Sequence, residues 1–282
     1  MNEMIVSNEE NFEKVKKLIS KEGANKFHVI SDFDGTLIKR FVDGEKVQSL
    51  LSILRSSGDY LSSEYETRAK GLFKKYRPIE SDKKLSVYER KRAMHEWWTK
   101  HFELLIDFGL NKSDLHKVIK SNKLRLRKGI VEFLDYLNNK KIPLVIMSSS
   151  GLGDAISMLL EREQIFHNNI YIITNTFKWD NKGNAIAAKK PIIHSMNKDE
   201  TSIKNYPAFN LIKNRKNVLL LGDKIEDIGM VKGYDCDNLI KIGFLNDEVK
   251  KNLKLYKMNF DVVLLNDTNM NYVNQILHDL FE

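Results

Sequence analysis

The chain has 282 residues, 42% of them hydrophobic, with 14 Gly and 4 Pro, a composition that indicates a folded globular protein and excludes extensive disorder. Its single cysteine, Cys236, excludes an intramolecular disulfide and a zinc site built from several thiols, and it fits a reducing compartment. The net charge of +8 permits a nucleic-acid partner, but 46 basic residues are mixed with 38 acidic ones, which is typical of a solvated surface, so we expect no nucleic-acid partner.

The N-terminal segment has no apolar stretch of signal-peptide length, and no later stretch approaches the ~20 apolar residues that a membrane helix needs. We therefore expect a cytoplasmic protein without a membrane partner. Residues 8–21 have the apolar spacing of a helix, which we expect to end at Gly23 and to pack on the outside of the core.

The segment FHVIS predicts a short buried strand that runs directly into the acidic turn DFDGT. Asp32 and Asp34 thus lie at the carboxyl end of a strand, where open α/β sheets bind their ligands. Because residues i and i+2 of an extended segment point to the same side, both carboxylates can face one site while Phe33 turns into the core. Gly35 then permits a tight turn.

Between about residues 43 and 125 the pattern changes to long charged and amphipathic stretches without a clear strand, which predicts a helical insert. We expect Pro78 to end one helix of this insert. The strongest helix, about 86–108, presents a wide apolar surface. Its apolar positions are Met94, Trp98, Phe102 and Leu105 on one face, and Trp97, His101, Leu104 and Phe108 on an adjoining one. Such a surface needs two partners, so we expect the insert to form a cap over the acidic turn.

Further apolar segments follow the insert, and each leads into a polar loop: IPLVIM, IYIIT, NVLLLG, LIKIGF and FDVVLL. Helical stretches such as 129–140 and 153–163 separate them. Short β-branched strands that alternate with helices favour a parallel sheet covered on both faces. We therefore predict an α/β protein with a doubly wound, Rossmann-like core (residues 1–42 and 126–282) and an inserted α-helical cap (residues 43–125).

A second pair of acids, Asp223 and Asp227, follows the predicted strand NVLLLG. Together with the first pair they form a set of carboxylates suited to a hard cation, and Mg²⁺ is the usual choice beside a phosphate. Lys198 offers a positive charge for phosphoryl oxygens, and the run Ser148–Ser150 offers hydroxyl donors. Each signal is weak alone, but their order and their placement after strands indicate phosphoryl chemistry.

The ordered set of DFDGT, a strand ending in Ser, a Lys and GD-x-x-x-D resembles the four motifs of the haloacid dehalogenase superfamily. Further segments are similar to the cytosolic pyrimidine 5′-nucleotidase family, and they cover nearly the whole chain from residue 27. These segments are YRPIESD, HEWWTK, SGLGD, IIHSMNK, LLLGD, LIKIGFLND and FDVVL. The resemblance implies a Mg²⁺-dependent phosphatase that converts a nucleoside monophosphate such as CMP or UMP to nucleoside and phosphate.

The resemblance also implies roles for the site residues. Asp32 attacks phosphorus and becomes an aspartyl phosphate. Asp34, whose pKa we expect burial to raise, protonates the leaving ribose oxygen and then takes a proton from water. Lys198 steadies Asp32 and the phosphoryl group. The Mg²⁺ ligands are the Asp32 carboxylate, the Asp34 backbone carbonyl and Asp223, while Asp227 supports the motif from behind.

The cap resemblance concerns the base of the substrate. Glu80 matches a glutamate that contacts the nucleobase, and Trp98 matches an aromatic residue that stacks on it, with a stacking contribution of ~1–3 kcal/mol. Trp97 is equally compatible with a place in the cap core. Family members described as acting on 7-methylguanosine monophosphate also carry two adjacent tryptophans, and a cationic base over an indole gains cation–π attraction. The choice between a pyrimidine and 7-methylguanine therefore stays open.

The chain departs from the family pattern in three places. Gly35 stands where the family usually has Met, and Lys224 and Glu226 replace Ser and Gly in the fourth motif. The third departure is in the segment SSSGLGD, which has one residue more than the family motif. Alignment from the preceding strand makes Ser148 the phosphate-binding serine, which we favour, and alignment from the glycine makes it Ser149.

Other functions remain compatible with the sequence. One is a phosphatase for a small non-nucleotide phosphoester, with Glu80 and Trp98 merely structural. Another is a catalytically silent binding protein that keeps the fold, to which the altered GDKIED loop points. The retention of both Asp32 and Asp34 argues against the silent protein. We expect a monomer or a weak oligomer.

Overall fold

The computed structural model describes residues 3–47, 49–55, 60–198, 205–232 and 235–282. The strands in these ranges are β1 (Met4–Val6), β2 (Phe27–Ser31), β3 (Phe41–Val42), β4 (Glu45–Lys46), β5 (Leu144–Met147), β6 (Ile170–Ile173), β7 (Phe177–Trp179), β8 (Ala185–Ala188), β9 (Asn217–Gly222), β10 (Asn238–Leu245) and β11 (Val262–Leu265). The helices are α1 (Glu9–Glu22), α2 (Leu50–Arg55), α3 (Ser63–Ser81), α4 (Val87–Asp107), α5 (Lys112–Lys120), α6 (Ile130–Asn139), α7 (Asp154–Arg162), α8 (Phe209–Ile212), α9 (Val249–Asn259) and α10 (Asn271–Phe281).

Seven strands form the central sheet in the order β1-β11-β10-β9-β2-β5-β6. Neighbouring strands from β11 to β6 run parallel, and β1 pairs antiparallel with β11 at one edge. All six strands predicted from the sequence are present, so the α/β fold with a mostly parallel sheet is confirmed. The three-residue strand β1 was not predicted, because so short a segment carries no readable alternation.

The two central strands β2 and β9 are buried along their whole length. Side chains of β9 alternate between the two faces: Leu219 and Leu221 join one apolar cluster, and Val218 and Leu220 join another. Helices must therefore cover both faces of the sheet, which is the reason that these strands read as continuous apolar runs rather than alternating ones.

The region between β2 and β5 contributes helices and no strand of the central sheet, within the part that the structure describes. Polar residues begin its helices: Ser62 caps α3, and Ser86 forms a capping box with Glu89 at the start of α4. The expectation for Pro78 was wrong, because α3 continues through it to Ser81. A proline this close to the helix end removes one backbone hydrogen bond without stopping the last turn.

Two antiparallel hairpins were also not predicted: β3–β4, whose second strand lies within the predicted helical insert, and β7–β8, which begins where a polar loop was expected after β6. Phe177 of β7 packs edge-on against Phe102 of α4, with ring centroids 5.5 Å apart. The hairpin β7–β8 therefore packs against α4, the longest of the described helices. Among the described helices, none combines the length and the apolar character that crossing a membrane requires.

Candidate active site

The carboxyl ends of three neighbouring strands bring the predicted polar residues together. Strand β2 lies between β5 and β9, and its last residue, Ser31, pairs with Ile146 on one side and Leu221 on the other. The residues that follow the three strands, Asp32, the serine run and Asp223, consequently meet at one edge of the sheet.

Lys198 joins two of the predicted acids. Its Nζ lies 2.6 Å from Oδ1 of Asp32 and 2.7 Å from Oδ1 of Asp227, and all three side chains are buried. Burial alone would lower the pKa of Lys198, but the attraction of Asp227 and Asp32 outweighs it and raises that pKa. The lysine is therefore held as an ammonium ion against the predicted nucleophile.

Asp227 holds the loop after β9. Its Oδ2 accepts hydrogen bonds from the backbone N–H groups of Asp223 (3.1 Å) and Lys224 (3.0 Å), while its Oδ1 accepts from Lys198. Both oxygens thus have donors, and this arrangement fits the supporting role expected for Asp227.

Three carboxylates can together hold a metal ion. Oxygens of Asp32, Asp223 and Asp227 lie within 4.8 Å of one another. Oδ1 of Asp223 is buried and has no hydrogen-bond partner among the described residues, and its Oδ2 lies 3.5 Å from the Arg40 guanidinium. Burial raises the pKa of Asp223 and, to about 7, that of Asp32. Ionised carboxylates in this position need a compensating cation, and an all-oxygen donor set suits a hard one.

Asp34 lies beside this cluster and contacts the insert. Its Oδ1 accepts a hydrogen bond from the backbone N–H of Leu50, the first residue of α2, at 3.1 Å. Burial raises the pKa of Asp34 to about 6, although the Leu50 N–H and the nearby Lys224 charge act in the opposite direction. A carboxyl group with such a pKa can donate and accept a proton near neutral pH.

The buried Arg127 supports the acidic turn, and its role was not predicted from the sequence. Its guanidinium donates to the carbonyl oxygens of Gly35 and Thr36, at 2.6 Å each, and lies 3.0 Å from Oδ1 of Asp267. Burial lowers its pKa to about 10, so it remains a cation. In the sequence it is one of several basic residues in RLRKG, and nothing there distinguishes it from a surface residue.

The three serines of the run Ser148–Ser150 differ in their exposure to the cavity. Ser149 and Ser150 line the same cavity as Asp32, whereas Ser148 is buried and its Oγ accepts a hydrogen bond from the Ser150 N–H at 3.0 Å. Ser148, which the strand end favoured, is thus located as a support for the loop. The alternative alignment, with Ser149 facing the substrate space, agrees better with this geometry.

Helices α3 and α4 contribute residues to the same cavity. Glu80 of α3 and both Trp97 and Trp98 of α4 line it. Oε2 of Glu80 pairs with Arg77, and its Oε1 accepts a hydrogen bond from Ser195 Oγ at 2.5 Å. Glu80, Trp98 and Asp32 therefore line one space.

The two tryptophans form an aromatic row with Tyr76. Trp97 stacks on Tyr76 (centroids 6.0 Å apart, planes at 11°) and on Trp98 (6.2 Å, 22°). A Cβ atom at Gly151 would lie 2.8 Å from Cζ3 of Trp98, so the absence of a side chain there lets Trp98 approach the serine loop. The row thereby reaches from the insert to the sheet domain.

The two residues that depart from the family pattern in the fourth motif, Lys224 and Glu226, lie in different surroundings. Lys224 lines the cavity, and its positive charge favours the ionised form of Asp223 more than any other nearby group does. Glu226 is exposed and is not among the residues lining this cavity. Lys224 therefore adds a cation near Asp223 in this cavity.

Known proteins are similar to this chain over most of its length. The family model described as pyrimidine 5′-nucleotidase (UMPH-1) matches residues 35–281. The 7-methylguanosine phosphate-specific 5′-nucleotidase A of Xenopus laevis is 35% identical over 260 residues, which cover 92% of this chain and 89% of the relative. The human 7-methylguanosine phosphate-specific 5′-nucleotidase is 34% identical over 263 residues, which cover 93% of this chain and 87% of the relative.

Solved structures agree with the family match. Cytosolic 5′-nucleotidase IIIB bound to cytidine has a TM-score of 0.88 and 28% identity, covering 99% of this chain and 94% of that one. A HAD family hydrolase from Salmonella enterica serovar Typhi has a TM-score of 0.59 at 17% identity, covering 96% and 81%, and it shows the shared fold. The chain therefore belongs to the pyrimidine 5′-nucleotidase (UMPH-1) family and is a 5′-nucleotidase, a phosphoric monoester hydrolase of the haloacid dehalogenase superfamily.

Proposed function

We propose that this enzyme hydrolyses 7-methylguanosine 5′-monophosphate, with CMP as a second substrate, through an aspartyl phosphate on Asp32. One observation carries the proposal: a single cavity is lined by Asp32 and Asp34, which follow strand β2, and also by Glu80 of α3 and Trp98 of α4. A nucleoside monophosphate carries a phosphate and a flat base at its two ends, and it matches this arrangement.

The base preference rests on the cap wall and on the names of the relatives. Both relatives described above are named as specific for 7-methylguanosine phosphate, whereas the family name specifies pyrimidines and the solved structure of cytosolic 5′-nucleotidase IIIB holds cytidine. Methylation at N7 makes guanine cationic, and a cation gains attraction over an indole such as Trp98 and beside a carboxylate such as Glu80. Cytosine offers an amino group to the same carboxylate, which supports CMP as the second substrate.

In the first step, an oxygen of Asp32 attacks phosphorus, the bond from phosphorus to the ribose O5′ breaks, and Asp34 gives its proton to the leaving oxygen. Because Lys198 binds Oδ1 of Asp32, we assign Oδ2 as the attacking atom. Lys198 and the Ser149 hydroxyl bind oxygens of the phosphoryl group, whose charge is spread over three of them in the transition state.

In the second step, water attacks the phosphorus of the aspartyl phosphate, and Asp34, now a carboxylate, takes a proton from that water. The bond between phosphorus and Asp32 breaks, which releases inorganic phosphate and restores the nucleophile. The pKa of Asp34, which burial raises to about 6, suits a group that must work in both protonation states.

The cofactor that we propose is Mg²⁺. The Asp32 and Asp223 carboxylates and the Asp34 backbone carbonyl would hold it, and the buried, unpartnered Oδ1 of Asp223 supports this assignment. When bound, the ion would neutralise charge on the phosphoryl oxygens.

A panel of substrates tests the proposal. We expect kcat/KM for 7-methyl-GMP and CMP to exceed that for GMP, AMP and ribose 5-phosphate, with activity lost in EDTA and restored by Mg²⁺. Equal rates on the whole panel would reject the nucleotide specificity and favour a phosphatase for small phosphoesters. We also propose that the enzyme is cytoplasmic and is a monomer or a weak oligomer. The assays can therefore use the purified chain alone.

A further inference from the structure

We infer that Ser195 is a positioning residue for base recognition: its hydroxyl orients the Glu80 carboxylate toward the amino edge of the nucleobase. The inference rests on the proposed function, since it concerns the same cavity. Ser195 lies three residues before Lys198, in the sheet domain, whereas Glu80 belongs to the insert. The contact therefore connects the base end of the cavity to the segment that carries the phosphate-end lysine.

The geometry of the Glu80 carboxylate leaves room for a ligand. Oε1 accepts from Ser195 Oγ at 2.5 Å, Oε2 pairs with Arg77, and Glu80 and Ser195 both line the cavity. An ionised carboxylate offers about four lone-pair sites, so each oxygen can accept one further donor. With one donor on each oxygen among the described residues, the plane of the carboxylate is fixed before the substrate arrives, and its remaining lone pairs can meet an amino or imino group of the base.

Ser195 itself is held in a rigid segment. Asn175, which is 2% exposed, donates from Nδ2 to the carbonyl of Ile193 and accepts from the Ile193 N–H at Oδ1, at 2.8 Å each. The same Nδ2 lies 3.1 Å from the carbonyl oxygen of Ser150 in the serine loop. Asn197 donates to the carbonyl of Ile192 at 2.9 Å. These hydrogen bonds fix the position of Ser195 relative to the serine loop, where we propose that the phosphate binds. The hydrogen bond from Ser195 then fixes the Glu80 carboxylate relative to the same loop.

A simple tether between the two parts of the molecule is the competing explanation. Other contacts already join them, including the approach of Trp98 to Gly151 and the packing of Phe102 on Phe177. Because these apolar contacts do not depend on Ser195, we expect its removal to disturb the carboxylate rather than the position of the insert. Substrates with and without a base separate the two explanations.

The test compares Ser195→Ala with the wild type on 7-methyl-GMP, CMP and ribose 5-phosphate, which has the phosphate and the sugar but no base. We expect kcat/KM for both nucleotides to fall about tenfold, the order of one hydrogen bond to a charged group, mostly through KM. The kcat/KM for ribose 5-phosphate should stay within about twofold of the wild-type value, because this substrate has no base to contact Glu80. Ser195→Thr keeps the hydroxyl and should keep the activity.

Two controls complete the design. Ser81→Ala removes an exposed hydroxyl next to Glu80 in the sequence and should leave kcat/KM for all three substrates unchanged. In a Glu80→Ala background, Ser195→Ala should cause little further loss, because the two residues act through one contact. An equal loss on ribose 5-phosphate, or unchanged nucleotide kinetics in Ser195→Ala, would overturn the inference while leaving the proposed function intact. A wild-type enzyme without any preference for nucleotides over ribose 5-phosphate would instead overturn the proposed function.

Discussion

Gly35 and Asp223 approach each other so closely that no side chain fits between them. A Cβ atom at Gly35 would lie 2.5 Å from Oδ2 of Asp223, and Gly35 has a φ of +77°, in the left-handed region that glycine favours. The turn after the nucleophile therefore sets the distance between the Asp32 segment and the loop after β9. The sequence alone identifies Gly35 as a turn residue, but the second constraint comes from a residue far along the chain.

Gly35→Ala should consequently damage catalysis more than stability. The added methyl group must displace Asp223 or the turn, and a displacement of ~1 Å in a catalytic group can cost about a hundredfold in rate. Gly23→Ala is the matched control, because Gly23 has a similar φ of +79°, but a Cβ atom there would meet no heavy atom of the described residues within 4 Å apart from its own chain neighbours. Measurements of kcat and of thermal unfolding on both variants check this. Equal kcat in the two variants would contradict the steric role of Gly35.

Lys198→Met should impair both the rate and the fold. The lysine joins two buried carboxylates, and removing one partner of a buried ion pair typically costs 3–5 kcal/mol, so we expect a loss of about 3 kcal/mol in the free energy of unfolding. The phosphate-end charge is lost as well, so kcat should fall at least about a hundredfold. Denaturant unfolding and steady-state kinetics measure the two effects. Lys224→Met, at an exposed lysine of the same cavity, should leave the stability near that of wild type.

Lys224→Met should also shift the dependence of activity on pH. Burial raises the pKa of Asp34 to about 6, and the Lys224 charge moderates this rise because it favours the carboxylate. Without that charge the pKa of Asp34 rises further, so the protonated acid needed in the first step persists to higher pH. The alkaline limb of kcat/KM should therefore move upward in Lys224→Met and stay in place in Lys224→Arg. A shift to lower pH would contradict the assignment of Asp34 as the acid.

His101 should make folding stability sensitive to acid. Burial and the nearby Arg55 lower its pKa to about 3, and its Nε2 is hydrogen-bonded to Tyr65 Oη at 3.0 Å. Between pH 6.5 and about 3 the unfolded chain binds a proton that the folded chain excludes, so the free energy of unfolding falls as pH falls, by up to about 1.4 kcal/mol per pH unit.

His101→Gln isolates this contribution, since the other titrating groups are common to both proteins. Denaturant unfolding at several pH values should give a shallower slope for the variant between pH 6.5 and about 4, within the range in which the wild-type imidazole stays neutral. Parallel slopes for wild type and variant would show that His101 does not titrate as its burial predicts.

Local patterns predicted a large part of the molecule. The runs that became β2 and β9 are mostly apolar and lead directly into acids, which suffices to locate two buried strands and the acidic loops that follow them. Pro78 shows the limit of a local rule, because a proline restricts the residues around it without fixing where the helix ends.

The residues that the sequence did not reveal act across the fold. Arg127 contacts Gly35, and Asn175 contacts Ile193, at sequence separations that no periodicity reveals. Ser195 acquires its importance only from the position of Glu80 on another part of the chain. The choice between Ser148 and Ser149 likewise depends on which hydroxyl faces the cavity, and that is a property of the loop in three dimensions.

The most direct test concerns the covalent intermediate on Asp32. The enzyme is mixed with 7-methyl-GMP and Mg²⁺ and quenched in acid during turnover. It is then digested, and the peptide masses are determined by mass spectrometry. We predict one added phosphoryl group on the peptide that contains Asp32, with neither the modification nor phosphate release in Asp32→Asn. Turnover without a phosphorylated Asp32 peptide, or undiminished phosphate release by Asp32→Asn, would contradict the assignment of Asp32 as the nucleophile.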